Sequence, residues 1–207
     1  DMLQLSRLQS GTEHMEVAPV DLEELLQDTK QNYQNEAAQR GIRLELDAEK
    51  VPFAMTDSDR VEQLLVILLD NAMHYTPQGG SITISAAETT GDRILVTVAD
   101  TGCGIEPEDL PHIFERFFKT DKSRREGGTG LGLSIAKQII DKLGENIFVE
   151  SEIGKGTSFH FTLKKFISNA IALGPSSTPS ILHEETPPPS VPNDKGTQDA
   201  PYEVIPP

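Results

Sequence analysis

The chain has 207 residues and a formal net charge of -15. That length suffices for one domain with a real core and some further chain. The acidic balance excludes general nucleic-acid binding, which needs a basic face. The one cysteine, Cys103, permits no internal disulfide and suits a reducing compartment. No apolar run approaches the roughly 20 residues of a membrane span, and no signal peptide is visible.

The sequence opens on Asp1, in what reads as the last turns of a helix (MLQLSRLQSG) stopped by Gly11. The start reads as a cut inside a longer protein. VDLEELLQDTKQNYQNEAAQRG begins with Asp21 as a cap and ends at Gly41, which marks a helix. IRLELD alternates in period two and predicts a strand, and a short strand follows around FAMT. DSDRVEQLLVILLDNAMHYT predicts a long helix closed by Pro77. SITISAAE and DRILVTVAD, separated by TTG, predict a hairpin. PEDLPHIFERFF predicts a short helix with proline at its start. The basic loop KTDKSRREGG then precedes a glycine run and a helix from about Leu131 to Leu143. NIFVESE and TSFHFTLKK, joined by IGKG, predict a second hairpin. This order implies an α/β (α+β) two-layer sandwich, a mixed sheet with helices on one face.

Composition breaks near residue 165. Five of the fourteen prolines lie before it and nine after, in segments such as ETPPPSVP and APYEVIPP. With few large apolar residues, the tail from 166 to 207 is expected to remain mostly disordered, its first part (FISNAIALG) excepted as a segment able to dock.

Four motifs carry chemistry. On the long helix, Val61, Leu64, Leu65, Leu68 and Ala72 recur at core spacing, while Ile67, Asn71 and His74 fall on another face at about 100° per residue. Asn71 can bridge local backbone, or offer a carbonyl oxygen to a metal such as Mg2+ that carries phosphates. In VADTGCGI, a strand ends at Asp100 with Gly102 and Gly104 two and four residues later. Asp100 can bind its own turn, or accept from an exocyclic amine such as that of adenine. Cys103 reads as a small filler.

In the third motif, Lys119, Lys122, Arg124 and Arg125 fall beside the run GGTGLGL. Such a loop is often merely solvated. Beside exposed backbone N–H groups and a helix entrance, it makes an anion site for polyphosphate. No GK[ST] signature and no GxGxxG after the first strand occur, which excludes the common phosphate-loop and dinucleotide folds. The fourth motif, IGKGTSF, is a glycine-bounded turn between strands.

With these motifs in this order, the chain resembles the catalytic ATP-binding domain of two-component sensor histidine kinases, a Bergerat fold of the GHKL class shared with gyrase and MutL. LLDNAMHYTP resembles the N box and DTGCGI the first glycine box. FERFFK is similar to the F box, GGTGLGL to the second glycine box and GKGTSF to the last. The resemblance covers about residues 17 to 165, and residues 1 to 16 resemble the end of a dimerisation helix and its linker.

It implies that Asn71 coordinates Mg2+ and that Asp100 binds the adenine amine. Tyr75, Gly102, Gly104 and Ile105 would shape the nucleotide pocket, with Thr157 near the adenine. Lys119 would reach the terminal phosphates, which Gly128, Thr129, Gly130, Leu131 and Gly132 would also meet. Phe114 and Phe117 would anchor the lid. The γ-phosphate of ATP would pass to a histidine of an upstream dimerisation domain and then to an Asp of a response regulator. That role places the domain in the cytoplasm without direct membrane contact, in a homodimeric parent that a membrane anchor would suit. Of the five histidines only His183, in the Pro-rich tail, is followed by an acid, and the resemblance places the acceptor upstream, outside this chain.

Three positions depart from the pattern. Ile67 stands where an Asn, or in hydrolysing relatives a Glu, is usual, which leaves water without a base. His74 replaces a Lys, and an imidazole is only partly charged near neutral pH. LGEN replaces an HGG turn, with an expected effect on local geometry alone. An ATP-hydrolysing switch of the gyrase kind and a nucleotide-sensing module with degraded catalysis are the competing readings.

Overall fold

The computed structural model describes residues 15–48, 50–119 and 129–167. The expected helix end before residue 12 and the tail beyond Ile167 lie outside the described residues, as do Lys122, Arg124, Arg125 and Gly128.

Capping chemistry fixes the two long helices. Helix α1 (Leu22–Arg40) starts where the Asp21 carboxylate accepts the Glu24 N–H, and stops at Gly41, which takes φ 68. Helix α2 (Ser58–Tyr75) starts at Asp57, whose Oδ1 accepts the Arg60 N–H at 3.1 Å. The other oxygen of Asp57 accepts the Glu16 N–H at 2.9 Å, so one carboxylate both caps the helix and ties down the incoming chain. Tyr33 on α1 donates to Asp70 on α2 at 2.7 Å. Burial and the Asp70 carboxylate push the Tyr33 pKa up.

Five strands form the main sheet in the order β2-β4-β5-β7-β6. They are β2 (Arg43–Asp47), β4 (Ser81–Glu88), β5 (Arg93–Asp100), β6 (Ile147–Glu152) and β7 (Gly156–Lys164). The β2–β4 pair is parallel and the others are antiparallel, so the sheet is mixed as expected. A separate two-stranded sheet pairs β1 (Ala18–Val20) with β3 (Ala54–Thr56). The sequence reading passes over β1, a three-residue strand too short for its alternation to register. Beyond β7, Lys165 bridges to Ala54 and the Phe166 N–H donates to Phe53 O.

The alternation of the strands separates two faces. Ile82, Ile84, Ile94, Val96, Val98, Phe159, Phe161 and Leu163 are buried on the inner face. There they meet the stripe of α2 (Val61, Leu64, Leu65, Leu68, Leu69, Ala72) and Ile135, Ile139 and Ile140 of helix α3 (Gly132–Leu143). Each large side chain fully buried here contributes about 1.5–3 kcal/mol. Three helices on one face of a mixed sheet is the expected sandwich.

One expected helix does not form. Within PEDLPHIFERFF only Leu110–His112 closes a single 3-10 turn, and the rest is turns. Pro107 and Pro111 each lack an N–H donor, and Phe117 takes φ 62, which no right-handed helix admits.

The outer face carries a polar cluster. His160 on β7 bonds Thr97 on β5 through Nδ1 at 2.9 Å and stacks on Phe148 of β6 at 4.7 Å. Its Nε2 is buried with no hydrogen-bond partner among the described residues, 3.7 Å from Glu150. Burial lowers the His160 pKa, and Glu150 only partly opposes it. The folded state therefore takes up the proton less readily than the unfolded chain, so stability falls as pH drops below the unfolded value of 6.5. We expect Tm to decline between pH 7.5 and 5.5, and this decline to shrink in His160→Gln. An equal decline in both proteins would remove His160 as its cause.

Candidate nucleotide site

At one end of the inner face the apolar columns stop. Asp100, Thr157 and Ser151 stand side by side there on β5, β7 and β6, since Asp100 pairs with Thr157 and Ser151 with Thr157. A polar row thus terminates an apolar face.

Asp100 is the half-buried carboxylate of this row. Its Oδ1 accepts the Gly102 N–H at 2.7 Å. Desolvation raises its pKa, opposed by the backbone N–H groups of Gly102 and Thr157. Among the described residues the donors to this carboxylate are backbone N–H groups, so it keeps acceptor capacity for a ligand N–H.

The following loop is built around close approach. A Cβ placed on Gly102 would lie 2.6 Å from both Asp100 Oδ1 and the Tyr75 carbonyl oxygen. At Gly104, φ is 74 and a Cβ would lie 2.3 Å from the Glu152 carbonyl oxygen. Only glycine allows these contacts. They seat the loop against the C-terminal end of α2 on one side and the β6–β7 turn on the other. Ile105 packs partly buried against the core. Cys103 is exposed, not the filler expected, because the turn points its side chain outward.

Helix α2 brings the next group. Asn71 lies one turn before Tyr75, half-buried, and its Nδ2 donates to the Ile67 carbonyl at 2.9 Å. The amide nitrogen thus bridges local backbone, one of the two alternatives, and leaves Oδ1 as an acceptor toward the surroundings. An amide oxygen is a hard ligand of the kind Mg2+ takes alongside phosphate oxygens and water. His74 is exposed and meets the Tyr75 ring edge-on at 4.6 Å.

The glycine run enters from the far side. Gly130 takes φ 68, and its carbonyl accepts the Phe117 N–H at 2.9 Å. Phe114 packs edge-on against Phe159 at 6.4 Å, while the Phe117 ring is 62% exposed. Phe114 thus grips the core with its ring, and Phe117 ties the loop by its backbone. Thr129 is exposed, and Lys119 ends the described segment before the basic loop. Leu131 is 1% exposed and belongs to the core, so only its backbone faces the helix entrance, where its carbonyl accepts the Ser134 hydroxyl. A Cβ on Gly132, the first residue of α3, would touch Ile67 at 3.5 Å. Ser151, a lone serine in a strand, carries no sequence signal of its place in this row. Its Oγ accepts the Ile105 N–H at 2.8 Å, donates to Gly156 O at 3.0 Å and meets Thr157 Oγ1 at 2.9 Å.

Residues 56–167 match the family described as histidine kinase-, DNA gyrase B- and HSP90-like ATPase. The chain belongs to this family. The sensor protein SrrB of Staphylococcus aureus (strain NCTC 8325 / PS 47) is 42% identical over 152 residues, which are 72% of this chain and 26% of that protein. The chain therefore spans about a quarter of the curated relatives it matches. Among solved structures, full-length ShkA in complex with AMPPNP aligns at TM-score 0.73 and 30% identity, over 81% of this chain and 35% of that one. The nucleotide-free catalytic domain of histidine kinase ThkA aligns at TM-score 0.65 and 29% identity, over 73% of this chain and 97% of that one. For this family member, if Asp100 accepts from the base, Asp100→Asn should weaken ATP binding by at least about tenfold, because a half-buried acceptor oxygen becomes an amide donor. Titration calorimetry giving unchanged affinity would remove Asp100 from the site.

Proposed function

We propose that this chain is the ATP-binding catalytic domain of a sensor histidine kinase. In this reading it hands the γ-phosphate of ATP to a histidine on an upstream dimerisation domain, for relay to an Asp of a response regulator. The observation that carries it is the half-buried Asp100 carboxylate, held by backbone N–H groups at the end of the helix that bears Asn71. The 42% identity to a sensor protein and the likeness to ShkA in complex with AMPPNP support the same reading.

The adenine amine donates to Asp100, with Gly102, Gly104 and Ile105 beside the ring and Tyr75 closing the helix end. Asn71 Oδ1 would hold Mg2+, which supplies neutralisation of phosphate charge when bound. Lys119 and the backbone of residues 128–132 would meet the phosphates, near the positive end of α3. In the transfer, an imidazole nitrogen attacks the γ-phosphorus, the bond to the bridging oxygen breaks and ADP leaves. This chain's share is positioning and charge.

The acceptor would belong to a dimeric parent protein, with the kinase domain on the cytoplasmic side of any membrane anchor. Among the described residues, no helix is long and apolar enough to cross a membrane.

Two outcomes check this reading. The chain should bind Mg-ATP without labelling itself from γ-labelled ATP, and should label a separately made His-bearing dimerisation domain from its own parent in trans. Efficient self-labelling, or a dimerisation domain left unlabelled, would count against it. Second, His74→Lys should tighten ATP several-fold while leaving adenosine affinity nearly unchanged, since the gain is electrostatic. Equal tightening of both ligands would place His74 away from the phosphates.

A further inference from the structure

The hydroxyl chain at the polar row has a fixed sense. A backbone N–H can only donate and a carbonyl oxygen can only accept. Ser151 Oγ takes the Ile105 N–H at 2.8 Å and gives its single proton to Gly156 O at 3.0 Å. The remaining contact, Ser151 Oγ to Thr157 Oγ1 at 2.9 Å, then has no serine proton available, so the Thr157 hydroxyl donates it. Thr157 Oγ1 is left with lone pairs alone.

Thr157 is 6% exposed and is the strand partner of Asp100 on the same face. Two acceptors therefore stand next to each other at the end of the sheet: the Asp100 carboxylate and a threonine oxygen that has spent its proton. Such an edge favours a ring carrying an exocyclic amine. It disfavours a ring carrying an oxo group at the same place, which would set oxygen lone pairs against oxygen lone pairs.

We infer that Ser151 is a positioning residue for purine recognition, holding the Thr157 hydroxyl in the acceptor sense beside Asp100 so that 6-aminopurine nucleotides are selected over 6-oxopurine ones. The inference rests on the proposed nucleotide site and adds its base selectivity. Ser151 touches no ligand in this scheme. It acts through Thr157, and through Ile105, whose N–H it holds.

The experiment compares calorimetric affinities for ATP and ITP in the full chain and three variants. The unsubstituted chain should prefer ATP. In Ser151→Ala, Thr157 loses its acceptor partner and can turn its proton toward an oxo group, so the ATP-to-ITP affinity ratio should fall about tenfold. Ser151→Thr keeps a hydroxyl on β6 and should restore most of the ratio. Thr157→Val removes the oxygen whose sense is at issue and should lower the ratio on its own, which keeps the test open if Ser151→Ala fails to fold. A ratio unchanged in Ser151→Ala overturns the inference, as does an unchanged ratio in Thr157→Val, or an equal loss of ATP and ITP affinity, which marks a merely structural role. A starting chain that binds ATP well but without such dependence defeats this inference alone. One that binds neither nucleotide defeats the proposed site as well.

Discussion

The rest of the structure is arranged around a half-buried carboxylate whose donors among the described residues are backbone N–H groups. Asp100 ends a strand whose preceding inward residues, Ile94, Val96 and Val98, are all in the core. Removing a charge from water there is costly, and the raised pKa of Asp100 is the signature of that cost. Backbone N–H groups from Gly102 and Thr157 offset part of it. The Gly102 N–H reaches the carboxylate because the chain turns sharply there and presses on the Tyr75 carbonyl, and the Thr157 N–H because β7 pairs with β5 at Asp100. Gly102 is thus a steric consequence of the charge. A ligand donor arriving at Asp100 completes a solvation that the protein alone leaves partial.

Helix α2 serves two environments along one length. Its stripe from Val61 to Met73 is the largest single contribution to the core, and this holds the other side, with Ile67 and Asn71, at a fixed height beside the Asp100 loop. Its N-terminus is fastened to the incoming chain through Asp57 and Glu16, and its flank to α1 through Tyr33 and Asp70. The helix that carries the proposed metal ligand is therefore anchored at its start, along its side and at its end. Position at the site follows from packing far from it.

Much of this was legible in the sequence because the signals were local. Asp21, Gly41 and Asp57 announce helix ends through side-chain and backbone chemistry that acts within a few residues. The alternation in SITISAAE and DRILVTVAD fixes both strands and the face they bury. What escaped depends on contacts distant in the chain. Strand β1 exists because Ala18 finds Thr56, and three residues carry no readable period. Ser151 matters because β6 lies beside β7 and near Ile105, 46 residues earlier, and a lone serine in a strand gives no hint of that. The helix expected over PEDLPHIFERFF shows the reverse error. Its apolar spacing was helical, but its two prolines and the left-handed Phe117 prevail. There the backbone is shaped to hold Gly130, not to form a helix.

The residue at position 67 illustrates how packing can choose between nucleophiles. Ile67 is half-buried, and its side chain faces the first residue of α3, at the mouth of the glycine run. Water attacking a phosphoryl group must lose a proton, so a site that hydrolyses ATP needs a base within reach. An isoleucine offers none. A neutral imidazole differs, since one ring nitrogen already carries the lone pair that attacks and no proton need leave first. Within the proposed reaction, an apolar residue at this place costs the transfer nothing while withholding help from the competing hydrolysis. The departure from the usual polar residue is then compatible with a kinase, and it argues against a conformational switch driven by ATP hydrolysis.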